Sequence, residues 1–396
     1  MSRIRVGHLA SARAGQGAGD GGPLRFLLGA MLTLAFSLGT TAWAQPRPNN
    51  RGDVTKEQVE RAIKEGVRFL KSEQRADGSW LDRDPKAKAG TTSLVTLALL
   101  TAGESPEEPK VAKALSYLQG FTADDMRSIY AVSLQTMAFA AADPKRYELR
   151  IAANAAWLER AQLKPGDVHL YPGSWTYTPA KERSGDNSNT QYALLGLNAA
   201  SEAGVPIKPE VWALSRAYWE RGQRNDGGWN YYPDEGQSSS GSMSCAGVSS
   251  LIITGLRRYQ GHEVLVGDNV RMCGEGSFNP ALQRGIDWLA ANFSVTQNIN
   301  RGQQWKYYYL YGLERAGRLA GVRMFGPHDW YREGARELVA AQGKTTGEWK
   351  GSEVYDTFPE LATSFALLFL SSICMPRAIW MRCACGDPAP CRLSVR

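Results

Sequence analysis

A unit made of a helix, a turn and a tryptophan recurs along this chain, and this limits the fold more than any other feature. Apolar residues of the first copy recur at steps of three and four residues, at Val59, Ile63, Val67 and Leu70. This spacing predicts one apolar face on an α-helix. Asp77-Gly78 ends that helix, because glycine adopts the left-handed geometry common at helix ends, and Trp80 follows. Residues 92–101 are apolar on all sides, which is typical of a helix surrounded by protein.

The turn is repeated at regular intervals. A tryptophan follows a glutamine by six or seven residues in three copies, at Gln74 and Trp80, Gln223 and Trp229, and Gln342 and Trp349. A looser copy has Gln162 and Trp175 separated by a longer loop, and two copies at 111–119 and 284–292 lack the tryptophan. Six helical hairpins, spaced roughly every 43 to 69 residues, are therefore expected. Repeats of this length stack into solenoids or close into rings.

This pattern resembles the QW motif of the prenyltransferase and squalene-cyclase repeat superfamily, which includes squalene-hopene cyclases. The motif there is a basic residue, a glycine, an aromatic, aliphatic residues, a glutamine and then Gly-x-Trp. The resemblance covers about residues 54–370 and implies an all-α protein, an α/α toroid with inner helices around a central cavity and an outer ring of helices. In the family the glutamine and the tryptophan connect neighbouring outer helices. The resemblance therefore implies structural roles for Gln74, Trp80, Gln162, Gln223 and Gln342.

The two ends of the chain differ from the repeats. Residues 26–41 form an apolar run of signal-peptide length, and Ala42-Trp43-Ala44 matches the small-x-small cleavage pattern. We expect a signal peptide over residues 1–44, a linker over 45–53, the toroid over 54–371, and export to the periplasm or the extracellular space. An uncleaved membrane anchor is the alternative. Residues 372–396 hold four of the six cysteines and are expected to be an atypical tail, either disulfide-bonded after export or translated out of frame.

The charge of the chain gives no reason to expect a nucleic-acid partner. The formal net charge is +7, but residues 45–371 carry 38 basic and 37 acidic side chains, so the excess belongs to the two ends. The expected partner is a small apolar or sugar-like ligand, and a peripheral membrane or protein partner stays open. With four histidines and no Asp-x-Cys pair before an inner helix, the sequence predicts no metal site and no cofactor.

One rim of the ring is the expected place for chemistry, because the N-termini of the inner helices meet there with unpaired backbone N–H groups. The sequence Asp186-Asn187-Ser188-Asn189-Thr190-Gln191 resembles the Asp-x-Asp-Asp-Thr-Ala motif of class II triterpene cyclases. Ser188 takes the place of the aspartate that protonates the alkene, and Asn189 that of its neighbour. Alkene protonation is therefore not expected. We expect Asp186 to be ionised at its helix N-terminus, and Asp186, Asn187, Asn189 and Gln191 to offer hydrogen bonds at the cavity mouth.

Aromatic residues are the second indication of a cavity. Those predicted to line it are Trp175, Tyr177, Trp229, Tyr231, Tyr232, Trp305, Tyr308, Tyr311 and Trp349. Such rings stabilise cations through their π faces or stack on sugars. Packing between hairpins is the alternative.

The sequence leaves three classes of function open. The favoured interpretation is an exported ligand-binding or scaffold toroid with an aromatic cavity and without the cyclase acid motif. The alternatives are a terpene cyclase/mutase-like enzyme and a polysaccharide-acting α/α-toroid enzyme, which requires two carboxylates in the cavity. The carboxylate candidates are Asp186, Asp356 and Glu360. The sequence Cys273-Gly274-Glu275-Gly276 is similar to the Cys-Gly-Glu-Gln thioester motif of complement-type toroids, but Gly276 cannot supply the glutamine carbonyl.

Overall fold

A computed structural model describes residues 53–167, 171–181, 184–234, 236, 238–259, 264–266, 269–271, 279–353 and 355–371. The predicted signal peptide, nearly all of the predicted linker, the thioester-like sequence and the cysteine-rich tail lie outside these residues. In the part of the chain that is described, no helix combines the length and the apolar character needed to cross a membrane.

The described residues form two rings of helices, which confirms the predicted all-α toroid of six hairpins. The outer helices are α1 (Lys56–Ser72), α3 (Pro109–Gln119), α6 (Glu148–Ala161), α8 (Pro209–Arg221), α10 (Pro280–Ala291) and α12 (Trp330–Ala341). The inner helices are α2 (Gly90–Thr101), α5 (Ile129–Ala142), α7 (Asn187–Glu202), α9 (Gly241–Tyr259), α11 (Lys306–Leu319) and α13 (Pro359–Leu370). A one-turn helix, α4 (Ala123–Met126), precedes α5. Two small antiparallel hairpins pair β1 (Val264–Val266) with β2 (Asn269–Arg271), and β3 (Met324–Phe325) with β4 (His328–Asp329).

Burial separates the two rings of helices. The inner helix α2 is buried at every position from Gly90 to Leu100, as predicted from a sequence that has no charged residue and no polar face. The outer helix α1 buries one face, which includes Val59, Val67 and Leu70. Each inner helix packs against its two neighbours, and α13 returns to α2, while α12 reaches α1. The ring is therefore closed by contact between the last hairpin and the first.

The four glutamine–tryptophan turns share one set of hydrogen bonds. Gln74 Nε2 donates to the carbonyl of Gly78 at 3.0 Å in its own turn, and to that of Lys110 at 2.8 Å near the start of the next outer helix. The Trp80 indole N–H donates to the Leu70 carbonyl at 2.8 Å. Matching bonds are made by Gln162 and Trp175, Gln223 and Trp229, and Gln342 and Trp349. These bonds hold each turn against two consecutive outer helices.

Candidate ligand cavity

A cavity of about 450 Å³ lies at the rim where the inner helices begin. Its wall comes mainly from the first turns of those helices and from the loops that precede them. The aromatic side chains of the wall are Tyr130, Tyr177, Tyr192, Tyr231, Trp305, Tyr308, Tyr355 and Phe365. Leu94, Leu134, Met243 and Leu361 add aliphatic surface. Because the inner helices carry mainly apolar and aromatic side chains, the face left over from helix packing gives the cavity a largely apolar wall.

Four of the predicted cavity residues lie in this wall, namely Tyr177, Tyr231, Trp305 and Tyr308. Trp305 and Tyr355 stack with their ring centroids 4.7 Å apart at the mouth. Tyr232 does not reach the wall and instead packs edge-on against Tyr231, with the centroids 4.8 Å apart.

The tryptophans of the turns lie behind the wall, contrary to the prediction that they line it. Trp175, Trp229 and Trp349 are fully buried, and each indole N–H bonds to a carbonyl of the preceding outer helix. That bond directs the ring into the space between inner and outer helices. Tyr311 also lies outside the wall, where its ring is 3.9 Å from the Arg315 guanidinium carbon.

The polar residues at the start of α7 are buried and bonded to one another. Asp186 is the N-cap residue, and its carboxylate accepts from the Asn189 backbone N–H and side-chain amide, both at 2.8 Å. The Asn187 amide donates to the Asn230 carbonyl at 2.6 Å, and its oxygen accepts from Tyr218 at 2.6 Å. Asp186, Asn187 and Asn189 were expected to offer hydrogen bonds to the cavity. Their side chains bond to neighbouring protein groups and stabilise the start of α7.

Burial changes the expected charge of Asp186. The carboxyl group is almost fully buried, and this raises its pKa to about 6, although hydrogen bonds from Asn189 and Tyr231 act in the opposite direction. The helix N-terminus does lower the pKa of Asp186, as expected, through hydrogen bonds to the carboxylate. Desolvation raises the pKa by more.

Replacing Asp186 with asparagine is expected to change how stability depends on pH. Between about pH 4 and 6 the folded protein keeps a proton on Asp186 that the unfolded chain has released, so its free energy of unfolding falls as the pH rises. By pH 7 the wild-type protein should have lost roughly 2–3 kcal/mol of its free energy of unfolding, a loss that Asp186→Asn should not show. The Asn189 side-chain oxygen has no hydrogen-bond partner and can accept from the new amide after a flip. Urea unfolding of both proteins at several pH values measures this, and parallel pH profiles would contradict it.

The three carboxylate candidates do not share one site. Glu360 pairs with Arg83, with Oε1 and Nη2 2.5 Å apart. Asp356 lies in a separate recess beside Lys306 and Tyr307, where burial raises its pKa to about 7. Asp186 lies behind Tyr231. Among the described residues these candidates therefore form no carboxylate pair for hydrolysis of a glycosidic bond.

The prediction missed half of the aromatic wall, including Tyr130, Tyr192, Tyr355 and Phe365. Three of these residues lie in inner helices that are buried along most of their length. Periodicity therefore gives no sign of which side of the helix meets the cavity. Ser188 was noted for its position in the acid motif and also lies in the wall.

The fold is that of an α/α toroid and resembles the fold of type II terpene cyclases. The type II terpene cyclase MstE from Scytonema, solved as a variant with its product merosterolic acid A, has a TM-score of 0.51 at 13% identity, covering 79% of this chain and 96% of that one. Another MstE variant, solved with its substrate geranylgeranyl dihydroxybenzoate, has a TM-score of 0.50 at 14% identity, covering 81% and 99%. A protein from Actinoplanes has a TM-score of 0.50 at 16% identity, covering 80% and 100%. At these identities the likeness concerns the fold.

Sequence comparison adds a second, shorter similarity. The family model of the A-macroglobulin TED domain matches residues 48–229, a range that ends before the thioester-like sequence at Cys273. This match is to a TED domain and not to the QW-repeat family named from the motif. No curated protein sequence matches the chain.

Proposed function

We propose that this toroid binds an apolar ligand of isoprenoid size in its central cavity and does not protonate it. The observation that supports the proposal best is the aromatic and aliphatic wall around about 450 Å³ of space. Small-molecule sites in proteins are typically 300–1,000 Å³ in volume and mostly apolar, with a few placed polar groups. The cavity has this character, since aromatic and aliphatic side chains form most of its wall and a few polar side chains, such as Ser188, Asp84 and Arg301, are placed among them.

The wall also argues against cyclisation that begins at an alkene. An alkene is a very weak base, so its protonation requires a strong acid in a prepared environment. The cyclase motif uses neighbouring carboxyl groups, and here Ser188 and Asn189 occupy two of those positions. Asp84 is the carboxylate in the wall among the described residues, and it accepts a backbone N–H from Lys86 at 2.9 Å.

A terpene cyclase-like enzyme is the second candidate, because one observation favours it. Asp186 keeps a proton up to about pH 6 and is hydrogen-bonded to Tyr231, whose ring lies in the cavity wall. The Tyr231 hydroxyl is in turn 2.6 Å from that of Tyr177. A cyclised product formed from squalene and lost in Asp186→Asn would favour this candidate over binding alone.

Filling the cavity should weaken binding strongly. Leu134 lies in the wall on α5, so Leu134→Trp places an indole in the ligand space. We expect the wild-type protein to bind the hydrocarbon β-farnesene saturably, measured by quenching of tryptophan fluorescence, and Leu134→Trp to bind it at least about tenfold more weakly.

The matched control is Leu149→Trp, because Leu149 is 86% exposed on the outer helix α6. It should bind β-farnesene as the wild-type protein does, and circular dichroism should show the same helix content in both variants. Equal affinity of Leu134→Trp and the wild-type protein would place the ligand elsewhere.

Export remains part of the proposal. It rests on the apolar run at 26–41 and the cleavage pattern that ends at Ala44. A ligand carrier outside the cytoplasm fits an apolar compound that would otherwise partition into membranes.

A further inference from the structure

Three hydroxyl groups meet in the cavity wall. The Ser188 hydroxyl is 2.6 Å from the hydroxyl of Tyr130 and 2.7 Å from that of Tyr308. All three side chains line the cavity, and they come from three inner helices, α5, α7 and α11. We call these three residues the hydroxyl cluster.

A fixed donor on one side determines which end of the Gln191 amide faces the cluster. The Arg315 guanidinium donates to Gln191 Oε1 at 3.1 Å, and because guanidinium has no acceptor, the amide oxygen must face it. Gln191 Nε2 therefore points to Tyr308 and donates to its hydroxyl oxygen. Arg315 is buried, so this chain of bonds begins at a cation in a surrounding of low polarity, which strengthens the bonds along it.

One hydroxyl proton of the cluster is not used in the hydrogen bonds between its members. The three hydroxyl groups carry three protons, and the two contacts between them use two. The Tyr308 oxygen already accepts from Gln191, and no other acceptor among the described residues is bonded to the cluster. Burial raises the pKa of Tyr308 to about 12 and that of Tyr130 well above its usual value, so both keep their protons at neutral pH.

We propose that the hydroxyl cluster of Tyr130, Ser188 and Tyr308 is a hydrogen-bond donor site that selects an apolar ligand carrying an uncharged acceptor oxygen, such as an ether, a carbonyl or a hydroxyl group. The inference rests on the proposed function and specifies its ligand. A buried O–H without a partner is costly, and a ligand oxygen placed against the cluster removes that cost. An uncharged oxygen fits because the cluster itself is uncharged, and both arginines of the wall already have partners, Arg83 in Glu360 and Arg301 in Asn230.

Two ligands that share a 15-carbon isoprenoid chain test the donor site directly. Farnesyl methyl ether can accept a hydrogen bond and cannot donate one, whereas β-farnesene can do neither. On the wild-type protein we expect the ether to bind several-fold more tightly than the hydrocarbon. Binding of the hydrocarbon with no preference for the ether would overturn this inference and leave the proposed function standing. Binding of neither ligand would overturn both.

The variant arm removes the donors while keeping the apolar wall. In the triple variant Tyr130→Phe, Ser188→Ala, Tyr308→Phe, the ratio of ether affinity to hydrocarbon affinity should fall about tenfold, with hydrocarbon binding retained as the sign of an intact cavity. The control is Tyr309→Phe. The Tyr309 hydroxyl lies outside the cavity wall and donates to the Ser294 carbonyl at a distance of 2.7 Å. It should leave the ratio unchanged. An unchanged ratio in the triple variant would overturn the inference. If that variant does not fold, the wild-type comparison decides alone.

Discussion

Trp349→Ala is expected to lower the free energy of unfolding by about 3–5 kcal/mol, the range for removing a fully buried large aromatic side chain. Trp349 is completely buried and connects three helices. Its indole N–H donates to the Leu338 carbonyl of α12 at 2.7 Å, and its backbone N–H donates to Thr363 of α13 at 2.9 Å. Its ring lies so close to Gly66 of α1 that a β-carbon there would be 2.7 Å from it. The residue therefore stabilises the closure between the last and the first hairpin.

Thermal unfolding followed by circular dichroism measures this effect, and the midpoint should fall by roughly 10 °C. The control is Leu149→Ala, which removes an exposed side chain from an outer helix and should change stability by less than about 0.5 kcal/mol. A loss for Trp349→Ala as small as that of the control would mean that the ring closure does not depend on this turn.

Gly173→Ala is expected to cost about 2–5 kcal/mol, since two separate penalties add. Gly173 has a φ of +97°, a conformation that costs a non-glycine residue about 1–2 kcal/mol. A β-carbon at this position would also lie 2.2 Å from the Leu214 carbonyl oxygen, which is backbone of the helix α8 and cannot rotate away. Overpacking of this kind costs about 1–3 kcal/mol or more.

Gly204→Ala separates the two penalties. Gly204 has a nearly identical φ of +94°, and a β-carbon there would meet nothing within 4 Å. This variant should lose only the conformational part, about 1–2 kcal/mol. Urea unfolding of the two variants gives the comparison. If both variants lost the same free energy of unfolding, the turn could move away from α8 without a measurable energetic penalty.

The hairpins and their order were predictable from the sequence because the signals are local. The three- and four-residue spacing from Val59 to Leu70 marks an outer helix, and an apolar run such as residues 92–101 marks an inner one. Both patterns depend on neighbours within a few turns of the same helix. Helix starts were less certain, since α7 begins with the polar residues Asn187, Ser188 and Asn189, which an apolar pattern does not mark as helical. A buried hydrogen-bond network makes such residues acceptable inside a helix.

The composition of the cavity was decided by the tertiary structure. An inner helix that is apolar on every side carries no mark of the face that will meet the cavity, so Tyr130 and Phe365 escaped prediction while Trp175 and Trp229 were assigned to the wrong side. The same holds for Asp186. The sequence predicts its position at a helix N-terminus. Its pKa depends on how far the closed ring shields the carboxyl group from water. Local spacing determined the ring of helices, and long-range burial determined which side chains face its cavity and in which charge state.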